Sequence, residues 1–295
     1  MVADKNAVAF AVRTFFDNAT STFTYVVRDS VSAAALIIDP VLDYDPRSGC
    51  VSTGSADAVL SYCRAEGIDV QWILETHAHA DHLSAAEYLK SLLGARVAIG
   101  AGIVDVQRTF KQLLVLGEEF VADGRQFDRL LVEGEEISCG DLSVRVLAVP
   151  GHTPDSVAFV IQDAVFVGDS IFMPDVGTAR CDFPGGDAHA LYASVQRLLK
   201  MPDLTRLYLC HDYPPAGRDP SSLTTPAAQR KANVHVRDGI DVESFVALRT
   251  TRDANLPKPV LLWPSIQTNI RGGALPPPDS GGRRFMRIPI SGALS

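Results

Sequence analysis

The sequence predicts an α/β fold in which two packed β-sheets carry helices on their outer faces. Three observations lead there. Short apolar strands alternate with helical segments from Phe23 to Leu116. Between Glu136 and Val167 the pattern changes to β-hairpins, and strands and helices resume after it. Histidines and aspartates collect where strands end, the place at which α/β layers usually carry chemistry.

Taken in order, Phe23 to Arg28 and Ala33 to Ile38 are β-rich runs separated by Asp29-Ser30, an expected antiparallel pair. Ala56 to Glu66 reads as a helix that follows Ser55 and stops at Gly67. The apolar strand Val70 to Leu74 runs into Thr76-His77-Ala78-His79-Ala80-Asp81-His82. Ser84 and Glu87 have capping-box spacing at the start of a helix that ends near Leu93. Arg96 to Ile99 reads as a strand and Ile103 to Leu116 as a helix. Leu142 to Val149, Ser156 to Ile161 and Val165 to Val167 are the hairpin strands; they lead into His152 and Asp169. Ala188 to Lys200 is helical with Asp187 as its cap, and Arg206 to Leu209 is a strand ending at Cys210-His211-Asp212-Tyr213. Thr225-Pro226 opens a further helix, and Asp241 to Arg252 is expected to be the last. Residues 272–295, rich in Gly and Pro, read as an extended arm after a domain spanning 1–271.

Composition narrows the function. The 295 residues are 46% hydrophobic and 21% charged, enough for a core that needs no metal to fold. A metal site is therefore expected to serve chemistry. The net charge of −8, without a run of cations, disfavours nucleic acid as a partner. No apolar stretch is long enough for a bilayer, and the N-terminus, with Asp4 and Asp17, resembles neither a signal nor a transit peptide. The five cysteines form no CxxC pair, so reduced thiols in a cytoplasm and a role as small buried hydrophobes are expected.

Metal binding needs lone pairs that converge from different backbone segments. His77, His79, Asp81 and His82 lie within six residues, and His152, Asp169 and His211 follow other strands. Burying so many ionisable groups without an ion would be costly. Imidazole and carboxylate suit zinc, iron or manganese, and the lack of a ligand cysteine argues against a closed structural zinc site. His189 and His235, each isolated, read as ordinary surface or satisfied histidines.

Residues 76–82 match the HxHxDH motif of the metallo-β-lactamase superfamily. Gly151-His152-Thr153, Gly168-Asp169 and His211-Asp212 resemble its later motifs in order. The resemblance, from about Phe23 to Arg271, implies an αββα sandwich of two mixed sheets flanked by helices, with a metal at one edge. Flanking residues are similar to those of bacterial persulfide dioxygenases, also called sulfur dioxygenases. These are Thr178-Ala179-Arg180-Cys181-Asp182-Phe183, His211-Asp212-Tyr213, Leu256-Pro257-Lys258-Pro259 and Asn269-Ile270-Arg271.

That resemblance implies one Fe(II) per chain, held by His77, His152 and Asp169, with His79, Asp81, His82 and His211 around it or holding a second ion. It implies oxidation of glutathione persulfide, or a related small persulfide, by O2 to sulfite and thiol. Two histidines and a carboxylate on one face leave open positions for such chemistry. Arg180 would grip a glutathione carboxylate, unless it is spent on a local acid such as Asp182. Tyr213 would offer its hydroxyl to substrate, unless it packs under the site. Cys181 tempts as a sulfur carrier, but family members with Thr there argue against a required role. A glyoxalase II-like thioester hydrolase with two zinc ions is the alternative, since all seven ligand positions are present. The helical substrate domain of that family is not evident. A metal-binding scaffold without activity is a third reading. The expected partners are a persulfide and O2, with no membrane and with a homodimer left open.

Overall fold

A computed structural model describes residues 10–290. The first nine residues, and with them part of the targeting-signal reading, lie outside this range, as do the last five of the C-terminal arm. The chain opens with a meander of β1 (Phe10–Asp17), β2 (Thr22–Asp29) and β3 (Ala34–Ile38), paired antiparallel. β4 (Val41–Asp45) and β5 (Cys50–Ser52) make a small hairpin, and α1 (Gly54–Ala65) leads to β6 (Asp69–Leu74), parallel to β3. β7 (Leu83–Ser84) joins β4, and α2 (Ala86–Leu93), β8 (Arg96–Gly100), α3 (Ile103–Leu113) and β9 (Arg129–Leu131) follow. The first sheet is mixed, in the order β1-β2-β3-β6-β8-β9.

β10 (Glu136–Cys139), β11 (Leu142–Ala148), β12 (Val157–Ile161) and β13 (Ala164–Phe166) are successive antiparallel hairpin strands. α4 (Ala188–Leu199) crosses to β14 (Arg206–Tyr208), parallel to β13, and β15 (Leu223–Thr224) closes the second sheet. α5 (Pro226–Ala232), α6 (Val242–Asp253) and α7 (Leu262–Asn269) come last.

Side-chain alternation builds the four layers. Leu36 and Ile38 of β3 join Trp72, Leu74, Phe159 and Phe166 in the core between the sheets. Ala35 and Ile37 face the other way, with Val59 of α1 and Leu89 of α2. A strand buried on both faces has to be apolar throughout, as β3 is. The register of β6 on β3 slips between Ala35 and Leu36, where Val70 and Trp72 are their partners. This slip turns Val70 to the helices and Trp72 to the inner core. On the second sheet, Val165 and Leu207 meet Leu191 and Val195 of α4 and Phe245 of α6.

Two expectations need correction. The Ser84–Glu87 capping box does not form: Ser84 is buried, and its hydroxyl donates to the Glu75 carboxylate while accepting from Ala86 N at 3.0 Å. Glu87 is exposed. The helix Asp241 to Arg252 is not the last, because α7 follows and is buried along almost its whole length. The expected caps at Asp187 and Thr225 both form, accepting from His189 and Ala190 N and from Ala228 N.

Candidate metal centre

The histidine loop leaves β6 at the edge where the two sheets meet. Glu75 N donates to Ala98 O at 2.9 Å, and Thr76 O accepts from Val157 N at 2.8 Å, so the loop is bonded to both sheets. Asp39 receives Thr76 N at 2.7 Å and the Thr76 hydroxyl at 2.9 Å. Asp155 receives Ala78 N at 2.8 Å. From the far side, Asn269 of α7 donates to the carbonyls of His79 and His82, both at 2.8 Å, and accepts from Ser84 N at 2.8 Å.

His152, Asp169 and His211 arrive from the second sheet. Gly151 has φ +137, and a Cβ there would lie 2.2 Å from Leu191 N, so only glycine lets α4 pack against this turn. Gly168, at φ +54, packs beside Thr76, where a Cβ would come within 2.8 Å of its side chain.

The outer hydrogen bonds set which ring nitrogen of each histidine carries the proton. His152 Nδ1 lies 2.7 Å from the Arg180 carbonyl, His82 Nδ1 3.2 Å from the Leu83 carbonyl, and His211 Nδ1 3.3 Å from the Ser21 carbonyl. A carbonyl only accepts, so each Nδ1 donates and each Nε2 keeps its lone pair. The Thr76 hydroxyl, already donating to Asp39, accepts from His77 Nδ1 at 3.0 Å with the same result. His79 differs: both of its ring nitrogens are buried without a hydrogen-bond partner, and its Nε2 lies 3.1 Å from Asp39 Oδ1. Partners of this kind orient metal-binding imidazoles and raise their basicity.

The inner atoms have no protein partner. His77 Nε2, His79 Nδ1, His82 Nε2, His211 Nε2 and Asp169 Oδ1 are buried and unbonded. Each such atom costs about 1–3 kcal/mol if nothing satisfies it. His77, His152 and Asp169 bring one ligating atom each within 4.8 Å of one another. Asp169 Oδ2 lies 3.9 Å from His77 Nε2 and 3.6 Å from His152 Nε2, while its Oδ1 lies 3.4 Å from His211 Nε2. Burial holds His77 and His79 well below the usual imidazole range and lowers His82, so these rings are neutral. Burial, reinforced by Asp81 and Asp39, pushes Asp169 up to about 8. Neutral rings around a carboxylate that resists ionisation are what a cation would relieve. The residues fit a metal ion.

One residue enters the group unannounced by the sequence. Cys210 joins His79, His82 and His211 in a second set of ligating atoms within 4.8 Å of one another. The expectation that no cysteine stands among possible ligands is thereby corrected. The only sequence signal of Cys210 is its adjacency to His211. Asp39, Glu75 and Asp155, the buried acids that hold the loop, likewise carry no motif spacing, each being a lone acid in the sequence.

Comparison with known proteins adds to this geometry. Residues 17–211 match the family described as the Metallo-beta-lactamase superfamily. The chain belongs to the metallo-β-lactamase superfamily. It is 49% identical over 289 residues to a Burkholderia pseudomallei protein named "Probable metallo-hydrolase", covering 95% of this chain and 98% of that one. It is 45% identical over 282 residues to "Glyoxylase B2" of Dictyostelium discoideum, covering 95% and 97%. Identity to the mitochondrial persulfide dioxygenase ETHE1 of Homo sapiens is 30% over 269 residues, 90% of each chain. The crystal structure of ETHE1 from Myxococcus xanthus superposes with a TM-score of 0.72 at 30% identity, covering 90% of this chain and all of that one.

The superfamily centre opens into a cavity of about 1150 Å³, whose walls include Asp81, His152, Asp169, Phe172, Arg180 and Tyr213. The Arg180 guanidinium already has partners: Nη2 donates to Asp182 Oδ2 at 2.6 Å and Nη1 to Pro257 O at 2.7 Å. It therefore ties the Leu256–Pro259 segment to the loop whose carbonyl orients His152. Tyr213 stacks on His211 with ring centroids 5.7 Å apart, and its hydroxyl donates to Asp81 Oδ2 at 3.3 Å. Cys181 is not among the lining residues, and burial pushes its thiol up to about 12. His235 is a buried structural histidine whose Nδ1 accepts from Thr178 N at 3.0 Å. His189 is a surface residue 3.8 Å from Asp187.

Proposed function

We propose that the chain is a non-haem iron persulfide dioxygenase that oxidises glutathione persulfide, or a related small persulfide, with O2 to sulfite and thiol. The observation that carries this reading is the set His77, His152 and Asp169, two imidazoles and one carboxylate brought together beside the cavity that His152 and Asp169 line. One Fe(II) held there would have open positions to bring a sulfur substrate and O2 together. His77 and His152 present Nε2 lone pairs fixed by Thr76 and the Arg180 carbonyl. Asp169 supplies the negative charge, and His79, Asp81, His82 and His211 surround the same point. Tyr213 places a hydroxyl on the cavity wall, donating to Asp81 and able to accept from a bound substrate. Val41, Leu42, Phe172 and Leu261 keep part of the cavity wall apolar, which favours sulfur over water. The 30% identity to a persulfide dioxygenase over nine-tenths of both chains supports the reading.

The five cysteines are free, and no helix among the described residues is long and apolar enough to cross a membrane. The free thiols accord with a reducing compartment.

A second reading is a glyoxalase II-like hydrolase with two zinc ions. The higher identity to proteins named metallo-hydrolase and glyoxylase favours it, as does the complete second donor set. Metal analysis of anaerobically purified protein, paired with O2 uptake on glutathione persulfide, separates the two. The dioxygenase reading expects about one iron per chain and O2 consumed in step with sulfite. Zinc in both positions, thioester hydrolysis and no O2 uptake would transfer the assignment to the hydrolase. Full metal loading with neither activity would leave a binding scaffold.

A further inference from the structure

His77 takes its Nδ1 partner from the neighbouring residue, but His152 takes it from a loop 28 residues further on, where Arg180 O lies 2.7 Å away. Residues 177–180 form neither helix nor strand, so no regular ladder fixes where that carbonyl stands. Helix α6 holds it from both sides. Cys181 N donates to Asp253 Oδ2 at 2.7 Å, and Arg249 Nη1 donates to Thr178 O at 3.2 Å. Arg249 and Asp253, one turn apart on α6, are joined to each other through Nη2 and Oδ1. One ion pair therefore grips the main chain two residues before Arg180 and one residue after it. The same loop continues round the ring. The Phe183 and His152 ring centroids lie 6.2 Å apart, and a Cβ on Gly186 would come within 3.0 Å of His152 O.

Both members of the pair are buried, and Arg249 Nε has no partner at all. Buried ion pairs are weak stabilisers, and well-packed apolar residues in their place are often neutral or better. Apolar residues would suit the packing of α6 against α4, which Phe245 and Leu191 already provide. They could neither accept from Cys181 N nor donate to Thr178 O. The pair is thus suited to holding the loop rather than to holding the helix.

We infer that Arg249 and Asp253 are positioning residues for a metal ligand: they set the Arg180 carbonyl and, through it, the tautomer and direction of His152. The carbonyl keeps the ring proton on Nδ1, so that Nε2, 3.6 Å from Asp169 Oδ2, remains a lone pair. Without that carbonyl the proton can sit on Nε2, the position that free histidine prefers, and the nitrogen then cannot bind an ion. The inference rests on His152 as a ligand and not on the reaction, so it is the same for an iron dioxygenase and a zinc hydrolase.

Removing the pair as a pair tests it, because Arg249→Met with Asp253→Leu leaves no lone buried charge. Three measurements are made on the full-length chain: thermal denaturation without metal, competition of bound cobalt(II) against a chelator, and nitrogen NMR of the histidine rings at alkaline pH. The His152 signals are assigned by their loss in His152→Gln. The folded double variant should bind cobalt about tenfold or more weakly, the usual effect of losing an outer partner of a metal-binding histidine. Its His152 proton should be divided between Nδ1 and Nε2, whereas wild type should show Nδ1 alone. A folded double variant with wild-type affinity overturns the inference. Weaker binding with the proton still on Nδ1 alone overturns it as well, because the pair would then act by another route. Should the double variant fail to fold, Asp253→Asn decides by the same readings. It is nearly isosteric, but its single carbonyl oxygen cannot stand at both places that the two carboxylate oxygens occupy. It should weaken cobalt binding severalfold and mix the tautomers, and wild-type values for both would overturn the inference. A failure of O2 uptake on persulfide would count against the proposed activity alone and leave these results unchanged.

Discussion

At the scale of single residues, the centre depends on protons held on the outer sides of the rings. His77 and His152 keep Nε2 lone pairs because Thr76 and the Arg180 carbonyl hold their Nδ1 protons. Replacing His77, His152 or Asp169 by Ala should remove iron and dioxygenase activity together. His82→Ala should retain most of the iron, and metal analysis of the four purified variants checks the contrast. A protein that loses iron in His82→Ala and keeps it in His77→Ala would show that the iron sits in the other donor set. For Arg180 the residue type alone suggested a grip on a substrate carboxylate, but the guanidinium is engaged by Asp182 and by main-chain carbonyls. Its loss is expected to act through His152. Arg180→Ala should lower kcat/KM equally for glutathione persulfide and for a persulfide without carboxylates, by roughly tenfold to a hundredfold for a contact of about 1.5–3 kcal/mol. A loss confined to glutathione persulfide, seen as a higher KM, would return Arg180 to substrate binding.

At the scale of elements, α7 shows why a helix at the site can be invisible to periodicity. Its segment Leu262–Asn269 contains Pro264, and seven of its eight residues are buried. No polar stripe alternates with an apolar one, so the 3.6-residue signal is missing. Its last residue, Asn269, makes three buried hydrogen bonds to the histidine loop. Asn269→Ala should cost about 3 kcal/mol at roughly 1 kcal/mol per bond, and should loosen metal binding in the same variant. Thermal denaturation with and without metal reads both effects, and an unchanged Tm in the metal-free protein would deny Asn269 its role as a clamp. The failed capping box has a related cause. Ser84 had the right spacing for Glu87, but the buried Glu75 carboxylate lay closer to its hydroxyl, and tertiary contact overrode local spacing.

At the scale of the whole molecule, donors distant in sequence meet only because the two sheets pack face to face and their strands end at a shared edge. Thr22 of β2 bridges to His211, which brings the end of β14 against the first sheet. The cavity wall on that side also carries a pH response. His235 Nδ1 accepts from Thr178 N, so the ring has to be neutral in the fold. Burial, with Arg249 and Arg252 nearby, lowers its pKa from 6.5 to about 4. The unfolded chain takes up the proton first. Its contribution is therefore complete above about 6.5 and is lost as pH falls through 4, an effect of about 3 kcal/mol. Urea denaturation of wild type and His235→Asn between these limits should show the stability difference shrinking as pH falls. A difference independent of pH would mean that the ring does not titrate in this range.

Most of this centre could be read before any coordinates. Six of its donors belong to short motifs whose spacing reflects local chemistry: alternate histidines on an extended loop, and a glycine before His152 and Asp169 where a Cβ would strike Leu191 or Thr76. Apolar alternation likewise located the main strands, because burial on a sheet face has a period of two. Other features had no local signal. β4, β5 and β7 are only two to five residues long and depend on one another for pairing. Asp39, Glu75, Asp155 and Asn269 stabilise the loop through contacts across 9 to 190 residues of chain. Cys210 and Arg180 took their places for the same reason. A side chain's partners are set by three-dimensional proximity and by competition among donors, and neither is written in the spacing of neighbouring residues.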